Sequence, residues 1–295
     1  MSYTPEPHFQ IDYENMWNHR IQRRESKLLP YVKIEQVDGQ RKRMSFREKG
    51  AMREISGRLS TTTPDSVTTY IRYLNAKKYE EVTWHDEWDD VELGKLSLPT
   101  SEDMEAHVYS YNRQADKVIL DALGGNAYTG EDGTTLVALP SSQKVDENKG
   151  GANTGMNLAK ISETQYILDN NDVPYEGRVF VISPQEEQDL LRDVDEVKNR
   201  DYNTQEVLAT GRLSGRTWHG FHWVVTTEIT ERTASNLNKC YAFHKDYVCF
   251  GDGSRRASMD VLPGESHLLQ IRTRARMGAT RKEEKPVVEV TTYHA

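Results

Sequence analysis

Residues 99–125 read PTSEDMEAHVYSYNRQADKVILDALGG, and this stretch decides how the rest of the chain is interpreted. Thr100 or Ser101 can cap the first turn of a helix, and Gly124-Gly125 can end it. At ~1.5 Å per residue, about 23 residues form a rod of about 35 Å. Its apolar side chains recur at steps of three and four: Met104, Val108, Tyr111, Ala115, Val118 and Ala122. The pattern predicts one long helix with a single apolar stripe, a shape that suits packing across a sheet.

Shorter elements follow this helix. Residues 124–152 are rich in Gly, Asn, Ser and Lys and are predicted to be loop. A second helix is predicted over 153–169, and a third over 186–197. Between them, residues 178–183 (RVFVIS) form a nearly continuous apolar run, as expected for a strand buried on both faces. Further strands are predicted at 221–227, 240–250, 267–274 and 287–292. The fold class is therefore α+β, with a few helices over antiparallel sheet.

Two segments precede the long helix. Residues 1–40 contain three prolines and no sustained periodicity, which predicts an extended arm that becomes ordered only on another surface. Residues 41–79 show the pattern strand, turn, strand, with mixed polarity on both faces. This pattern predicts a long β-hairpin that protrudes from the body.

The composition excludes several classes of protein. Of the 295 residues, 36% are hydrophobic and 28% are charged, and no apolar run approaches the ~18 residues of a membrane span. The first residues lack the charged and apolar regions of a signal peptide. Two cysteines cannot form a disulfide framework. The apolar content is low for this length, which indicates an extended shape or burial against neighbouring chains.

The charges are unevenly distributed along the chain. Residues 20–58 hold twelve Lys and Arg against five acids, whereas residues 80–105 hold ten acids and one Lys. Such opposite stretches favour complementary contacts between copies, although two solvated faces would also explain them. Contact of the basic stretch with nucleic acid is also conceivable, but the stretch has no groove-reading helix or interleaved aromatics. The candidate intersubunit contacts are Arg41, Lys42, Arg43, Arg47, Lys49, Arg53, Arg58, Asp86, Glu87, Asp89 and Asp90.

Residue types that could bind a metal occur in two places. His219 and His222 could act with Cys240 and Cys249, but the cysteines are nine residues apart, and zinc-binding pairs are usually closer. In one strand, this odd separation would place the thiols on opposite faces, so buried free thiols are predicted. Residues 85–90 (HDEWDD) could attract a hard cation but lack the spacing of a dedicated loop, so an acidic elbow is predicted there.

Sequence signatures of catalysis are missing. The chain has no phosphate-binding glycine loop and no dinucleotide fingerprint, and Gly211–Gly215 has the wrong spacing for a nucleophile elbow. We therefore expect no enzymatic activity, no cofactor and no metal site.

With these elements placed, two stretches point to a known family. The first is residues 79–90 (YEEVTWHDEWDD), followed by residues 113–125 of the long helix. The second runs from Leu158 through the strand 178–183 to Gly220-Phe221-His222-Trp223-Val224-Val225. Their order resembles the major capsid protein of tailed double-stranded DNA bacteriophages, the Hong Kong 97-type fold.

The resemblance implies a division of the chain. Residues 1–40 would be the N-terminal arm, lying across adjacent subunits, and 41–80 the extended loop that overlaps a neighbour. Residues 81–125 would form the peripheral domain with its spine helix, and 126–255 the axial domain. Residues 256–295 would be C-terminal strands that return to the peripheral domain.

The same resemblance implies a function. The chain would assemble with itself, as hexamers and pentamers, into the icosahedral head of a virion. Assembly would occur in the host bacterial cytoplasm, with a portal and separate scaffolding or decoration proteins as partners, and without a membrane. Packaged double-stranded DNA would make non-specific contacts with the inner wall. An encapsulin-like nanocompartment and, less favoured, a metal-dependent hydrolase using the acidic run and His219/His222 are the alternatives.

Overall fold

The computed structural model describes residues 22–50, 52, 54, 57, 68–85, 100–193, 212–231, 236–264 and 267–294. Its helices are α1 (Thr100–Gly124), α2 (Leu158–Asn170), α3 (Pro184–Asp193) and α4 (Glu228–Glu231). Its strands are β1 (Lys33–Gln36), β2 (Arg41–Arg47), β3 (Thr69–Asn75), β4 (Lys77–His85), β5 (Ala127–Thr129), β6 (Thr135–Val137), β7 (Lys144–Val145), β8 (Arg178–Ile182), β9 (Thr217–Trp218), β10 (Phe221–Val225), β11 (Leu237–His244), β12 (Val248–Leu262), β13 (Leu268–Arg281) and β14 (Val287–Tyr293). These elements form an α+β fold, as predicted.

The long helix α1 packs across one face of a four-stranded sheet with the order β1-β12-β13-β4. Its buried side chains include Ala115 and Val118 of the predicted stripe, but Val108 is exposed. Ile119 and Leu120, which lie outside that stripe, are fully buried. The stripe widens towards the end of α1 because the helix there also contacts the central sheet. Buried Arg281 of β13 donates to the terminal carbonyl of Ala122 at 3.2 Å, which suits the negative end of a helix.

The central sheet has six strands in the order β7-β14-β11-β8-β10-β9. Every residue of β8 is buried, as its continuous apolar run predicts. This strand lies between β10, to which it is parallel, and β11, to which it is antiparallel. Phe180 of β8 stacks on Trp223 of β10 with ring centroids 4.7 Å apart. The largest part of the core therefore lies around this sheet.

A third sheet has the order β2-β3-β5-β6 and contains the predicted hairpin, with β2 antiparallel to β3. Its last two strands, together with β7, lie in residues 124–152, so the prediction of loop was wrong for those residues. The strands have only two or three residues each; β5 and β7 pair with distant strands, and β6 pairs with β5. Such pairings leave no periodicity for a local sequence pattern to detect.

Four other sequence predictions require correction. The second helix begins at Leu158 rather than 153, because Asn157 caps it by accepting a hydrogen bond from the Lys160 N–H at 2.9 Å. The predicted strand 240–250 is divided between β11 and β12 by a 3₁₀ turn at Lys245–Tyr247. The third helix begins at Pro184 rather than 186, and residues 194–197 of the prediction lie outside the described part. Finally, β14 pairs with β11 in the central sheet, whereas the resemblance implied that the whole segment 256–295 returns to the peripheral domain.

The described part of the arm lies on its own chain. Leu28 is fully buried in the main core, and Val32 is nearly so. Strand β1 pairs in parallel with β12. Over residues 22–40, therefore, the arm packs on its own subunit; residues 1–21 lie outside the described part.

Candidate intersubunit surface

Three of the predicted basic residues lie on one face of the hairpin. Arg41, Arg43 and Arg47 alternate along β2 and are exposed. Residue 43 is opposite Tyr73 in the register of β2 and β3, so this face continues across the third sheet. We call it the hairpin outer face.

The hairpin outer face extends from Tyr73 through Tyr128 of β5 to Leu136 of β6, which are directly opposite one another in register. Tyr128 is 38% exposed and Leu136 is 52% exposed. Arginine and tyrosine are enriched in protein interfaces, where an aromatic ring supplies buried area and a guanidinium supplies directed hydrogen bonds. The face therefore has the composition of a protein-binding surface.

The other predicted site residues are not all on this face. Lys42 points the opposite way and pairs with Glu35 of β1 at 2.9 Å. Lys49 pairs with Asp172 at 3.1 Å across a cleft of about 590 Å³ between the hairpin and the body. Both members of the Lys49 pair are about four-fifths exposed, so the contact contributes little stability. The other six candidate intersubunit contacts lie outside the described residues: Arg53, Arg58, Asp86, Glu87, Asp89 and Asp90.

The base of the hairpin is fixed to the body by a buried arginine. Arg72 of β3 is 8% exposed and donates two hydrogen bonds to the carboxylate of Glu284, at 2.6 and 2.7 Å. Its Nε atom donates to the Lys282 carbonyl at 3.0 Å. Beside it, fully buried Leu74 packs against Val37. Nη2 makes both contacts with the carboxylate, while Nε bonds to a different acceptor. Together these bonds restrain the orientation of the guanidinium as well as its distance, so the hairpin leaves the body in a defined direction.

A second fixed point holds the arm on α1. The carboxylate of Asp116 is fully buried and accepts hydrogen bonds from the Ser26 hydroxyl at 2.5 Å and the backbone N–H groups of Lys27 and Leu28 at 3.0 and 3.1 Å. The guanidinium of Arg23 lies 3.3 Å from the same carboxylate. This single side chain therefore contacts four residues of the arm and fixes the arm on the helix.

A third polar centre joins α3 to β14. Glu186 is fully buried and accepts hydrogen bonds from Asn238 at 2.9 Å and Thr292 at 2.7 Å, with His294 Nε2 at 2.8 Å. Burial acts to raise its pKa, but hydrogen bonds from His294, Ser183, Thr292 and Asn238 outweigh burial and lower the pKa of Glu186 to about 2. The carboxylate is thus held ionised inside the protein.

The alternative metal site is not assembled in the described part of the chain. His222 Nε2 lies 2.7 Å from the hydroxyl of Tyr31, and burial lowers the pKa of His222. Cys240 and Cys249 are buried free thiols, as predicted, but they lie on different strands, so the argument from opposite faces of one strand was wrong. Within the described residues, no three His, Cys, Asp or Glu side chains are grouped so as to hold a metal.

The same part of the chain has no helix long and apolar enough to cross a membrane.

Sequence reasoning missed the roles of Asp116 and Glu186, which are both fully buried. For Glu186 a local signal was present: Ser183-Pro184-Gln185-Glu186 is a capping box with proline at the first helical position, and the Ser183 N–H donates to Glu186 at 2.9 Å. For Asp116 there was none, because its partners lie about 90 residues away.

Comparisons with known proteins give a consistent result. A family model described as phage capsid protein matches residues 6–293. Among solved structures, the capsid of the cyanophage P-SCSP1u is 14% identical, with a TM-score of 0.71, over 97% of this chain and 94% of that chain. The capsid of cyanophage Pam1 is 11% identical, with a TM-score of 0.73, over 99% and 98%. The head of Helicobacter pylori bacteriophage KHP40 is 10% identical, with a TM-score of 0.72, over 97% and 96%.

These likenesses confirm the Hong Kong 97-type fold that the sequence resembles. Comparison with curated protein sequences gives no match.

Proposed function

The chain belongs to the phage capsid protein family, and we propose that, as the major capsid protein of an icosahedral phage head, it closes its shell through the hairpin outer face. Its role is structural, and its principal partner is another copy of itself. The observation that carries the proposal is the rigid attachment of a basic, aromatic face by the buried Arg72–Glu284 pair.

Assembly then follows from repeated weak contacts. Each copy presents the same hairpin outer face and the same complementary surface to its neighbours. When a shell closes, every copy makes all of these contacts at once, so individually weak contacts add up to a stable particle. Arg41, Arg43 and Arg47 would meet acidic residues of the adjacent copy, for which Asp86, Glu87, Asp89 and Asp90 are the candidates. Attraction between exposed charges is screened within ~10 Å at 0.1 M salt, so assembly should weaken as salt rises.

The proposal also includes the other steps and partners of head assembly. Hexamers and pentamers would form in the host bacterial cytoplasm, with a portal at one vertex and separate scaffolding or decoration proteins. The arm, extended loop, peripheral domain and axial domain would follow the boundaries expected from the sequence, with β14 assigned to the axial part. Contact with packaged DNA would be electrostatic and independent of base sequence. Catalysis and cofactors would play no part.

The proposal is tested by expressing the chain alone and examining it by electron microscopy and sedimentation at low and high salt. Shells, tubes or capsomer rings at low salt are expected. Arg43→Glu should reduce assembly at low salt, whereas Lys245→Glu, which makes the same charge change at an exposed position away from the face, should not. A folded monomer at high protein concentration in low salt would overturn the proposal, and so would equal effects of the two substitutions.

A further inference from the structure

A buried histidine forms the turn that joins two of the sheets. The 3₁₀ turn at Lys245–Tyr247 connects β11 of the central sheet to β12 of the sheet that α1 crosses. His244 is 3% exposed, and its Nδ1 atom accepts a hydrogen bond from the Asp246 N–H at 3.2 Å. A ring nitrogen that accepts a hydrogen bond carries no proton, so this arrangement requires a neutral imidazole with its proton on Nε2. The shape of the turn therefore depends on the protonation state of His244.

The same turn is bonded to the base of the hairpin through Lys282. The Lys282 N–H donates to the Tyr247 carbonyl at 2.8 Å, and the ammonium group donates to the Asp246 carbonyl at 2.5 Å. On its other side, the Lys282 carbonyl accepts from Nε of Arg72 at 3.0 Å. The ammonium group also lies 5.9 Å from the ring centroid of Phe46 in β2. A change in the turn would thus be passed to both strands of the hairpin.

The surroundings of the imidazole oppose its positive charge. Burial lowers the pKa of His244 from its ordinary value of 6.5, and the cations Lys245 and Arg178 act in the same direction. The nearby Glu176 backbone carbonyl and the Asp246 carboxylate act to raise this pKa but only partly offset burial. Because folding lowers the pKa, the turn has its full stability above about pH 6.5 and loses it as the pH falls through the lowered value.

A second arrangement is available to the charged ring. Once Nδ1 carries a proton, it becomes a donor that faces the Asp246 N–H, which is also a donor. The Asp246 carboxylate lies 3.9 Å from Nδ1 and is 66% exposed, so it can rotate to accept the new proton. The edge of the Tyr247 ring packs on the imidazole, with centroids 5.4 Å apart, and Tyr247 also lines the cleft between hairpin and body. The turn therefore has two discrete arrangements, one for each charge state of His244.

We propose that His244 is a pH-sensitive latch that sets the direction of the hairpin. In its neutral form it accepts the Asp246 N–H, forms the turn and holds Lys282 against the hairpin base. In its charged form it donates to the Asp246 carboxylate, and the turn releases Lys282. The consequence for assembly rests on the proposed function, because a redirected hairpin presents its outer face to the neighbouring copy at a different angle.

The latch is tested by measuring the distance between hairpin and body in the free subunit. Spin labels are attached to Ser45→Cys of β2 and Ser162→Cys of α2, both at exposed positions, while the native cysteines are buried. Double electron–electron resonance is recorded from pH 8 to pH 5 at high salt, where assembly is weakened. One narrow distance distribution is expected at pH 8. A second distribution should grow on acidification, with its midpoint below pH 6.5.

Substitutions around the ring distinguish a latch from general acid sensitivity. His244→Asn keeps an acceptor for the Asp246 N–H but cannot be charged, so it should retain the pH 8 distance throughout. Asp246→Asn removes the carboxylate that favours the charged ring and should move the midpoint to lower pH. Lys245→Gln removes an opposing cation and should move the midpoint to higher pH. His222→Asn is the control, because burial also lowers the pKa of His222 but this ring contacts the arm rather than the hairpin.

Three results would overturn the latch and leave the proposed function intact. They are a distance that stays constant from pH 8 to pH 5, a transition that persists in His244→Asn, and a midpoint that Asp246→Asn leaves unchanged. Loss of the transition in His222→Asn would assign it to the wrong histidine and would overturn the latch as well. Failure of the native chain to assemble would overturn the proposed function without altering these distances.

Discussion

Replacing Asp116 with alanine should release the arm from α1 without unfolding the central sheet. The substitution removes the acceptor of two backbone N–H groups, those of Lys27 and Leu28. It also removes the acceptor of the Ser26 hydroxyl and one of the carboxylates beside Arg23. None of the strands of the central sheet bonds to this carboxylate, so the damage is local.

The size of the effect follows from these contacts. Each buried N–H left without a partner costs about 1–3 kcal/mol. Arg23 keeps a second carboxylate, Glu228 at 2.7 Å, so the full penalty of an isolated buried charge does not apply. A loss of about 3 kcal/mol in the free energy of arm opening is expected, and this corresponds to about a hundredfold in the opening equilibrium.

Native-state hydrogen exchange measures that equilibrium directly. Amides of residues 26–32 should lose about a hundredfold in protection in Asp116→Ala, while those of β8 and β10 should be unchanged. Asp132→Ala is the matched control, because Asp132 is exposed and contributes only its backbone carbonyl, to Arg41. If the amides of residues 26–32 exchange at the same rate in the native chain and in Asp116→Ala, this carboxylate is not the group that anchors the arm.

Two further predictions concern buried groups. Because Glu186 has a pKa lowered to about 2 from 4.5, it should stabilise the fold by about 3 kcal/mol above pH 4.5, and this stability should be lost as the pH falls towards 2. Urea unfolding of the native chain and Glu186→Gln across this range should show a steeper decline for the native chain; parallel curves would contradict the prediction. Burial raises the pKa of the Cys240 and Cys249 thiols, so both should resist a thiol reagent at pH 8 in native protein and react in urea. Rapid reaction of either thiol in the native protein would be inconsistent with its burial.

The sequence predicted those parts of the fold whose signals are local. The caps and periodicity of residues 99–125 placed α1 correctly, and the apolar run at 178–183 placed β8 at the centre of a sheet. What could not be predicted depends on long-range pairing. Strand β7 exists because Lys144 and Val145 lie beside β14, almost 150 residues further along the chain.

The residues of the candidate intersubunit surface could likewise be predicted only in part from the sequence. The sequence predicted Arg41, Arg43 and Arg47 as contacts, but only the structure shows that they share a face and that Tyr128 and Leu136 complete it. Lys78 and Arg276 show the same dependence on long-range pairing, because they are opposite in register although they are 198 residues apart in the chain.

The hairpin outer face combines cations with exposed apolar side chains, and these two kinds of group respond differently to salt. Attraction between exposed charges steers subunits together and is screened by salt, whereas burial of Tyr128 or Leu136 removes apolar area from water at any salt concentration. Salt should therefore slow the formation of contacts more than it weakens contacts already made. Shells assembled at low salt should persist at a salt concentration that prevents free subunits from assembling. If assembled shells dissociate at the same salt concentration that prevents free subunits from assembling, the exposed apolar side chains contribute nothing to the contacts. The low apolar content of the sequence must then be explained within a single subunit.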